Sequence, residues 1–323
     1  MKYNYCGNSG LLLPQISLGM WQNFGDADNI QVAREMILHA FENGVTHFDL
    51  ANNYGIPRGS AESNFGRILN KELKDHRDEL IITSKAGHLM WDGPYGDGSS
   101  RKYIMASINQ SLKRTGLEYF DVFYSHRYNP ETPLEETAQA LIDIVKQGKA
   151  LYIGLSKYPA DKAEQMYRMM AEQHVKCVVY QDRYNMINRK VENAHVALNQ
   201  KSGVGFVSFS PLAQGVLTDR YLHGIPKDSR VGRASNFLTK EDITPSLMAS
   251  IEELNVIAVQ RGQSLAQMAL AWQLSKDYVT SVIIGASSVR QLQDNLDSIH
   301  NTSFAEEEAL QIDQILDKHL IRE

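Results

Sequence analysis

The alternation of two hydrophobic periods along this chain limits its fold more than any other feature. Eight short runs rich in β-branched and aromatic residues, at 16–20, 47–51, 80–86, 119–126, 150–156, 177–184, 205–210 and 280–286, are separated by longer segments whose apolar residues recur mostly at helical spacing. The runs are nearly continuous in apolar character, as strands are when a parallel sheet is covered on both faces. Eight such units with no Pro-, Gly- or Ser-rich linker between them predict the α/β class and a single (β/α)8 TIM barrel, one domain over residues 1–323. Helical patterns fall at 30–43, 103–115, 134–146, 161–172, 190–199 and 289–299, with 246–274 read as two helices joined at Gly262-Gln263-Ser264. Residues 3–14 read as an N-terminal β-hairpin turning at Asn8-Ser9-Gly10 and closing the barrel bottom, and 305–319 as an added C-terminal helix. The connections 87–102 and 211–245 are long, and in a barrel they lie on the C-terminal rim, where such folds keep their chemistry.

Composition narrows the partners. With 33 Lys and Arg against 38 Asp and Glu, the formal net charge is −5. A net negative surface has no broad attraction for nucleic acid or anionic lipid, so neither is expected as a partner. The N-terminus MKYNYCGNSG has no apolar core of a secretory signal, and no run approaches the ~18 apolar residues of a membrane span, so a soluble cytoplasmic protein is expected. The two cysteines, Cys6 and Cys177, form no CxxC pair and read as packing residues of a reduced compartment. No HxH or HExxH pair occurs, which makes a metal-dependent barrel hydrolase a weak alternative.

Polar residues at the C-terminal ends of barrel strands point into one shared mouth. Asp49 stands near the end of the second run and Tyr54 five residues later; Lys85 lies at the end of the third and His126 at the end of the fourth. Each alone is as readily a loop residue or a structural ion pair. Together they describe acid-assisted reduction of a carbonyl. A phenol titrates near ~10 and needs help to donate at neutral pH. An ammonium such as Lys85 lowers it, a carboxylate such as Asp49 holds the ammonium, and a neutral His126 orients the carbonyl oxygen.

With these residues in view the chain resembles the aldo-keto reductase superfamily. Asp49 and Tyr54 lie in HFDLANNYG, Lys85 in ITSKAG and His126 in FYSHR, and the superfamily's tetrad is Asp, Tyr, Lys and His in this order. The likeness runs from GMW (19–21) to GASSVRQLQDN (285–295). Within the superfamily the chain is similar to two branches, bacterial L-glyceraldehyde 3-phosphate reductases and β subunits of voltage-gated potassium channels. WDGPYG (91–96), PLAQGVLTDRY (211–221) and RGQSLAQMALAW (261–272) favour the first. The resemblance implies an NADPH-dependent reductase of small aldehydes such as L-glyceraldehyde 3-phosphate and methylglyoxal, with NADH as a weaker alternative. It also implies a homotetramer or homo-octamer. The other reading is a channel-β-like cofactor-binding module with little turnover. An extra N-terminal inactivating segment would mark that role, and this chain begins 15 residues before its first barrel strand.

No GxGxxG follows the first run and no GxxxxGK[ST] occurs, so a Rossmann or P-loop site is not expected. The resemblance assigns the cofactor to the mouth instead. Ser156 and Gln181 would bond the nicotinamide amide, with Phe209 against the ring and Trp21 beside it. Ser210, Pro211, Leu212, Gln214, Gly215, Leu217 and Arg220 would line the pyrophosphate path. Gly285, Ser287 and Gln291 would meet the 2′-phosphate end, Asp294 and Asn295 would lie near adenine, and Arg230 and Arg290 would add charge. The chain departs from the common pattern twice: Lys157 stands where many members have Asn, and Gln291 where many have Arg. Trp21, Trp91 and Tyr95 would ring the substrate pocket, and Arg127 or Arg101 would contact a substrate phosphate.

Overall fold

The computed structural model describes residues 1–222, 224, 238–239 and 241–317. Arg230 and the last residues of the expected C-terminal helix lie outside them. In chain order the elements are β1 (Tyr3–Tyr5), β2 (Leu12–Pro14), β3 (Ile16–Gly19), α1 (Ile30–Glu42), β4 (His47–Asp49), α2 (Ser60–Ile68), β5 (Ile81–Ala86), α3 (Arg101–Thr115), β6 (Phe120–Ser125) and α4 (Leu134–Lys146). They continue as β7 (Ala150–Ser156), α5 (Ala160–Glu172), β8 (Cys177–Arg183), α6 (His195–Ser202), β9 (Gly205–Phe209), α7 (Pro245–Gln260), α8 (Leu265–Leu274), β10 (Val279–Ile284), α9 (Val289–Leu296) and α10 (Glu306–Leu316). Strands β3 to β10 pair in parallel, each with its sequence neighbour, and β10 pairs back onto β3 to close the barrel. This is the fold expected from the eightfold alternation.

Side chains two apart on a strand share a face. The outward ones, such as Leu18, Phe48, Ile82 and Phe123, are fully buried beneath the helices in the main core. The inward ones include Ser17, His47, Asp49, Thr83, Lys85, Tyr124, Gln181 and Ser281, all buried. The runs that read as continuously apolar therefore carry an interior that is largely polar in its upper layers.

The N-terminal hairpin is present, with Tyr3 opposite Pro14 and Tyr5 opposite Leu12. It covers the starts of the last three strands. Cys6, Leu11 and Leu13 pack with Val178, Val179, Val207 and Ile283, and Asn4 Nδ2 donates to Thr280 O at 2.9 Å. Gly7 has φ +56°, and a Cβ there would fall 2.3 Å from Gly203 O. Both cysteines are buried and unbridged.

Three helices depart from the sequence reading in ways that have a physical reason. Helix α2 has no counterpart among the helical patterns read from sequence. Its nine residues SAESNFGRI are mostly small or polar, yet it packs tightly, with Gly66 so close to Thr115 that a Cβ would meet its backbone at 2.5 Å. The pattern at 190–199 divides into a 3-10 turn, Lys190–Glu192, and the later helix α6. Only Asn199 is buried on α6, so no continuous apolar stripe spans the two. Helix α3 begins two residues early because Ser100 Oγ caps it, accepting from Tyr103 N at 3.3 Å.

The barrel interior sets a sharp test. A Cβ on Gly154 would lie 2.3 Å from Tyr124 Cε1 and 2.9 Å from Val179 Cγ1. Gly154→Ala is expected to destabilise by about 1–3 kcal/mol through overpacking. Urea unfolding should show a lower midpoint with an unchanged slope.

Candidate active site

The site grows from one buried ion pair. Lys85, fully buried on β5, donates from Nζ to Asp49 Oδ2 at 2.5 Å and to Leu50 O at 2.6 Å. The strands that hold them are locked above this point, with Leu50 N donating to Thr83 O and Asn52 N to Lys85 O, both at 2.9 Å. The other carboxylate oxygen, Asp49 Oδ1, accepts from Thr83 Oγ1 at 2.7 Å and from Gln181 Nε2 at 3.1 Å. Thr83 thus uses its one proton on Asp49 and must accept from His47 Nε2, 3.2 Å away. That assigns the proton of His47 to Nε2 and leaves Nδ1 to accept from Ser17 Oγ at 2.8 Å. Ser17 in turn lies 2.6 Å from Ser281 Oγ. Burial pulls the His47 pKa down to about 4, so the imidazole stays neutral and the chain of bonds keeps one direction.

Tyr54 and His126 stand above this pair. Tyr54 is half-buried in the turn after β4, where its carbonyl accepts from Gly59 N at 3.1 Å and Ala61 N at 3.3 Å. The Lys85 ammonium lies 5.1 Å from the centre of the Tyr54 ring. His126 follows β6, its N–H bonded to Ala86 O at 2.9 Å, and packs edge-on against Tyr54 at 5.9 Å and His88 at 4.5 Å. Gly87 makes room for it, since a Cβ there would sit 3.0 Å from His126 Cβ. Burial first, then the charges of Lys157 and Lys85, hold the His126 imidazole well below its ordinary pKa, so it is neutral. Its Nδ1 is buried and has no protein partner.

One electrostatic expectation is corrected. The phenol of Tyr54 is pushed well above its ordinary pKa, by burial and then by the Asp49 carboxylate.

These residues open into a cavity of about 1350 Å³. Of the cofactor residues expected from sequence, Trp21, Gln181, Phe209, Ser210, Pro211, Leu212, Gln214, Gly215, Arg220, Gly285, Ser287 and Gln291 line it. Ser210, Ala213 and Gln214 have φ of 54°, 46° and 62°, so the loop after β9 is held in left-handed backbone that non-glycine residues seldom adopt. At the start of α9, Ser288 Oγ caps Gln291 N, while Gln291 Oε1 accepts from Ser287 N at 2.8 Å. Ser156 is not on the cavity wall but fully buried behind it at the end of β7, with its Oγ lacking a partner, as does buried Gln214 Oε1. Orphaned acceptors and donors of this kind suit the carboxamide and ribose-phosphate groups of a dinucleotide.

Several expected residues are not on the cavity wall. Leu217 is fully buried in the core. Asp294 accepts from Gln267 Nε2 at 2.9 Å and from Ser264 Oγ at 3.3 Å, buttressing the start of α8. Asn295 is buried, its Nδ2 3.5 Å from Gly285 O. Trp91 packs half-buried on Tyr103 at 5.3 Å, and Tyr95 is exposed with Lys102 Nζ 5.0 Å over its ring. Arg101 pairs with Asp143 at 2.6 Å on the outer face, and Arg290 is exposed on α9. Arg127 does line the cavity, bonded to Asp97 at 2.8 Å and Gly87 O at 2.7 Å. His88 is a cavity residue that the sequence reading missed, although it stands just past a strand end as His126 does.

The comparisons agree with this geometry. The model of the Aldo/keto reductase family matches residues 15–317. The L-glyceraldehyde 3-phosphate reductase of Escherichia coli strain K12 is 51% identical over 318 residues, 97% of this chain and 92% of the relative. A probable voltage-gated potassium channel subunit beta of Arabidopsis thaliana is 35% identical over 306 residues, 93% of this chain and 91% of the relative.

The buried pair yields a stability prediction. Lys85→Met leaves an unpaired buried carboxylate and should cost about 3–5 kcal/mol. The double variant Asp49→Asn, Lys85→Met should recover most of that loss in denaturant unfolding. Equal loss in both variants would show that packing of the lysine stem, not charge, governs the site.

Proposed function

The chain belongs to the aldo/keto reductase family, and from that premise we propose that it is an NADPH-dependent reductase of small aldehydes, among them L-glyceraldehyde 3-phosphate and methylglyoxal. The single observation that carries the reading is the convergence of a protonated phenol and a neutral imidazole over a buried lysine–aspartate pair at the wall of one large cavity. The 51% identity to the Escherichia coli reductase supports the substrate class. The fold would act as one domain, in the cytoplasm, as a homotetramer or homo-octamer.

The family resemblance and the geometry together support these residue roles. When bound, the nicotinamide supplies the hydride. His126, neutral, presents an imidazole nitrogen to the carbonyl oxygen and orients it. Tyr54, protonated at neutral pH, gives its Oη proton to the same oxygen as charge develops on it. The phenolate left behind forms beside the Lys85 ammonium, which Asp49 fixes in place. Gln181 and Thr83 in turn fix Asp49. Ser156 Oγ and the loop from Ser210 to Gly215 would hold the cofactor, with Ser287 and Gln291 at its 2′-phosphate and Arg220 along its phosphates. Phe209 and Trp21 would border the nicotinamide.

The 35% identity to channel β subunits favours a second reading, a cofactor-binding module with little turnover. Absorbance-monitored NADPH oxidation with methylglyoxal and L-glyceraldehyde 3-phosphate, repeated with NADH, separates the two. Turnover favouring NADPH supports the reductase; tight NADPH binding with no turnover of either aldehyde favours the module. Within the reductase reading, Tyr54→Phe should lose roughly 10²–10⁴ in kcat while cofactor affinity by fluorescence titration is unchanged. A wild-type kcat in that variant would remove Tyr54 as the proton donor.

A further inference from the structure

We propose that Lys157, held by His88, is the cation that receives the phosphate of a phosphorylated aldehyde and so selects such substrates; the proposal rests on the reductase reading above. The two arginines that the sequence offers for this task are otherwise engaged. Arg101 is paired on the outer face, and Arg127 has its Nε and Nη2 committed to Gly87 O and Asp97. Lys157 is half-buried, lines the cavity, and places Nζ 3.1 Å from His88 Nε2. His88 is neutral, because burial and the neighbouring Lys157 and Arg127 pull its pKa down to about 4, so its Nε2 accepts from the ammonium. The ring of His88 stands edge-on to His126 at 4.5 Å. Lys157 and His126 therefore both contact His88, which sets the ammonium and the carbonyl-orienting group on one stretch of the cavity wall.

The charge of Lys157 is compensated only in part, by Asp182 and by the Phe209 ring, whose centre lies 5.7 Å from Nζ. Asp182 is the acidic group that faces it, but its oxygens accept from Tyr180 Oη at 2.8 Å and Arg183 N at 2.7 Å. The other charged neighbours, Lys85, Arg183 and Arg127, are cationic, and Lys85 is already neutralised by Asp49. An ammonium half-removed from water among cations is costly, and burial lowers its pKa to about 8. A dianionic phosphate supplies the missing counter-charge. The residue also holds φ +54°, a left-handed conformation unusual for a side chain of this size.

The test is substrate selectivity. The ratio of kcat/KM for glyceraldehyde 3-phosphate to that for glyceraldehyde should fall roughly 10- to 100-fold in Lys157→Met, as expected for loss of a hydrogen bond to a charged group, and mainly through KM. Lys157→Arg should keep most of the preference. In the wild type the preference should decline as pH rises past about 8, where the ammonium loses its proton, and Lys157→Met should show no such decline. An unchanged ratio in Lys157→Met, equal losses on both aldehydes, or weakened NADPH binding would overturn the assignment. If the wild type reduces neither aldehyde, the reductase reading fails separately. Calorimetric titration with glycerol 3-phosphate then decides the anion site: binding by the wild type that Lys157→Met loses upholds it, and equal or absent binding in both refutes it.

Discussion

A charged lysine with no exposure to water dictates much of the rest of this molecule. A buried ammonium is tolerated only when paired and fully hydrogen-bonded, and Lys85 meets that condition through Asp49 and Leu50 O. Its partner must then be fixed as well, and the requirement passes down the barrel through Thr83, His47, Ser17 and Ser281. Each of these residues is in the barrel because the one above it has an unfilled hydrogen-bonding position. The catalytic face and the polar interior are thus one structure, and rigidity at Asp49 is imposed from below.

The same logic explains the state of the groups at the cavity. Tyr54 and His126 are both driven toward their neutral forms by burial, one upward and one downward in pKa. In the proposed reaction, two neutral hydrogen-bonding groups beside a compensated charge pair would bind a carbonyl oxygen more strongly as charge appears on it. Lys157, whose charge Asp182 offsets only in part, lines the same cavity and in the proposed reading receives a different part of the ligand.

Much of this was legible in the sequence. The strand–helix alternation is written in hydrophobic period, and strand-end placement brings Asp49, Lys85 and His126 to one mouth without any knowledge of contacts. What was not legible has physical causes. Helix α2 hides because its buried face uses Ser60, Glu62 and Asn64 beside Ala61 and Phe65, so apolar counting does not register it. Trp91 and Tyr95 sit in a long loop, where sequence spacing says nothing about direction, and they turn onto Tyr103 and Lys102. Asp294 was drawn toward a ligand by resemblance, but Gln267 and Ser264 hold it. The Lys157–His88 contact joins residues 69 apart in sequence, and only the closed barrel brings those two strand ends together.

The N-terminal hairpin has a temporal consequence. Its apolar side chains, Cys6, Leu11 and Leu13, cluster with residues of β6, β8, β9 and β10, the last of them about 270 residues along the chain. During synthesis this segment emerges first and its docking surface last, so the plug cannot seat until the ribosome has delivered nearly the whole barrel. Contacts of such long sequence separation form late in folding.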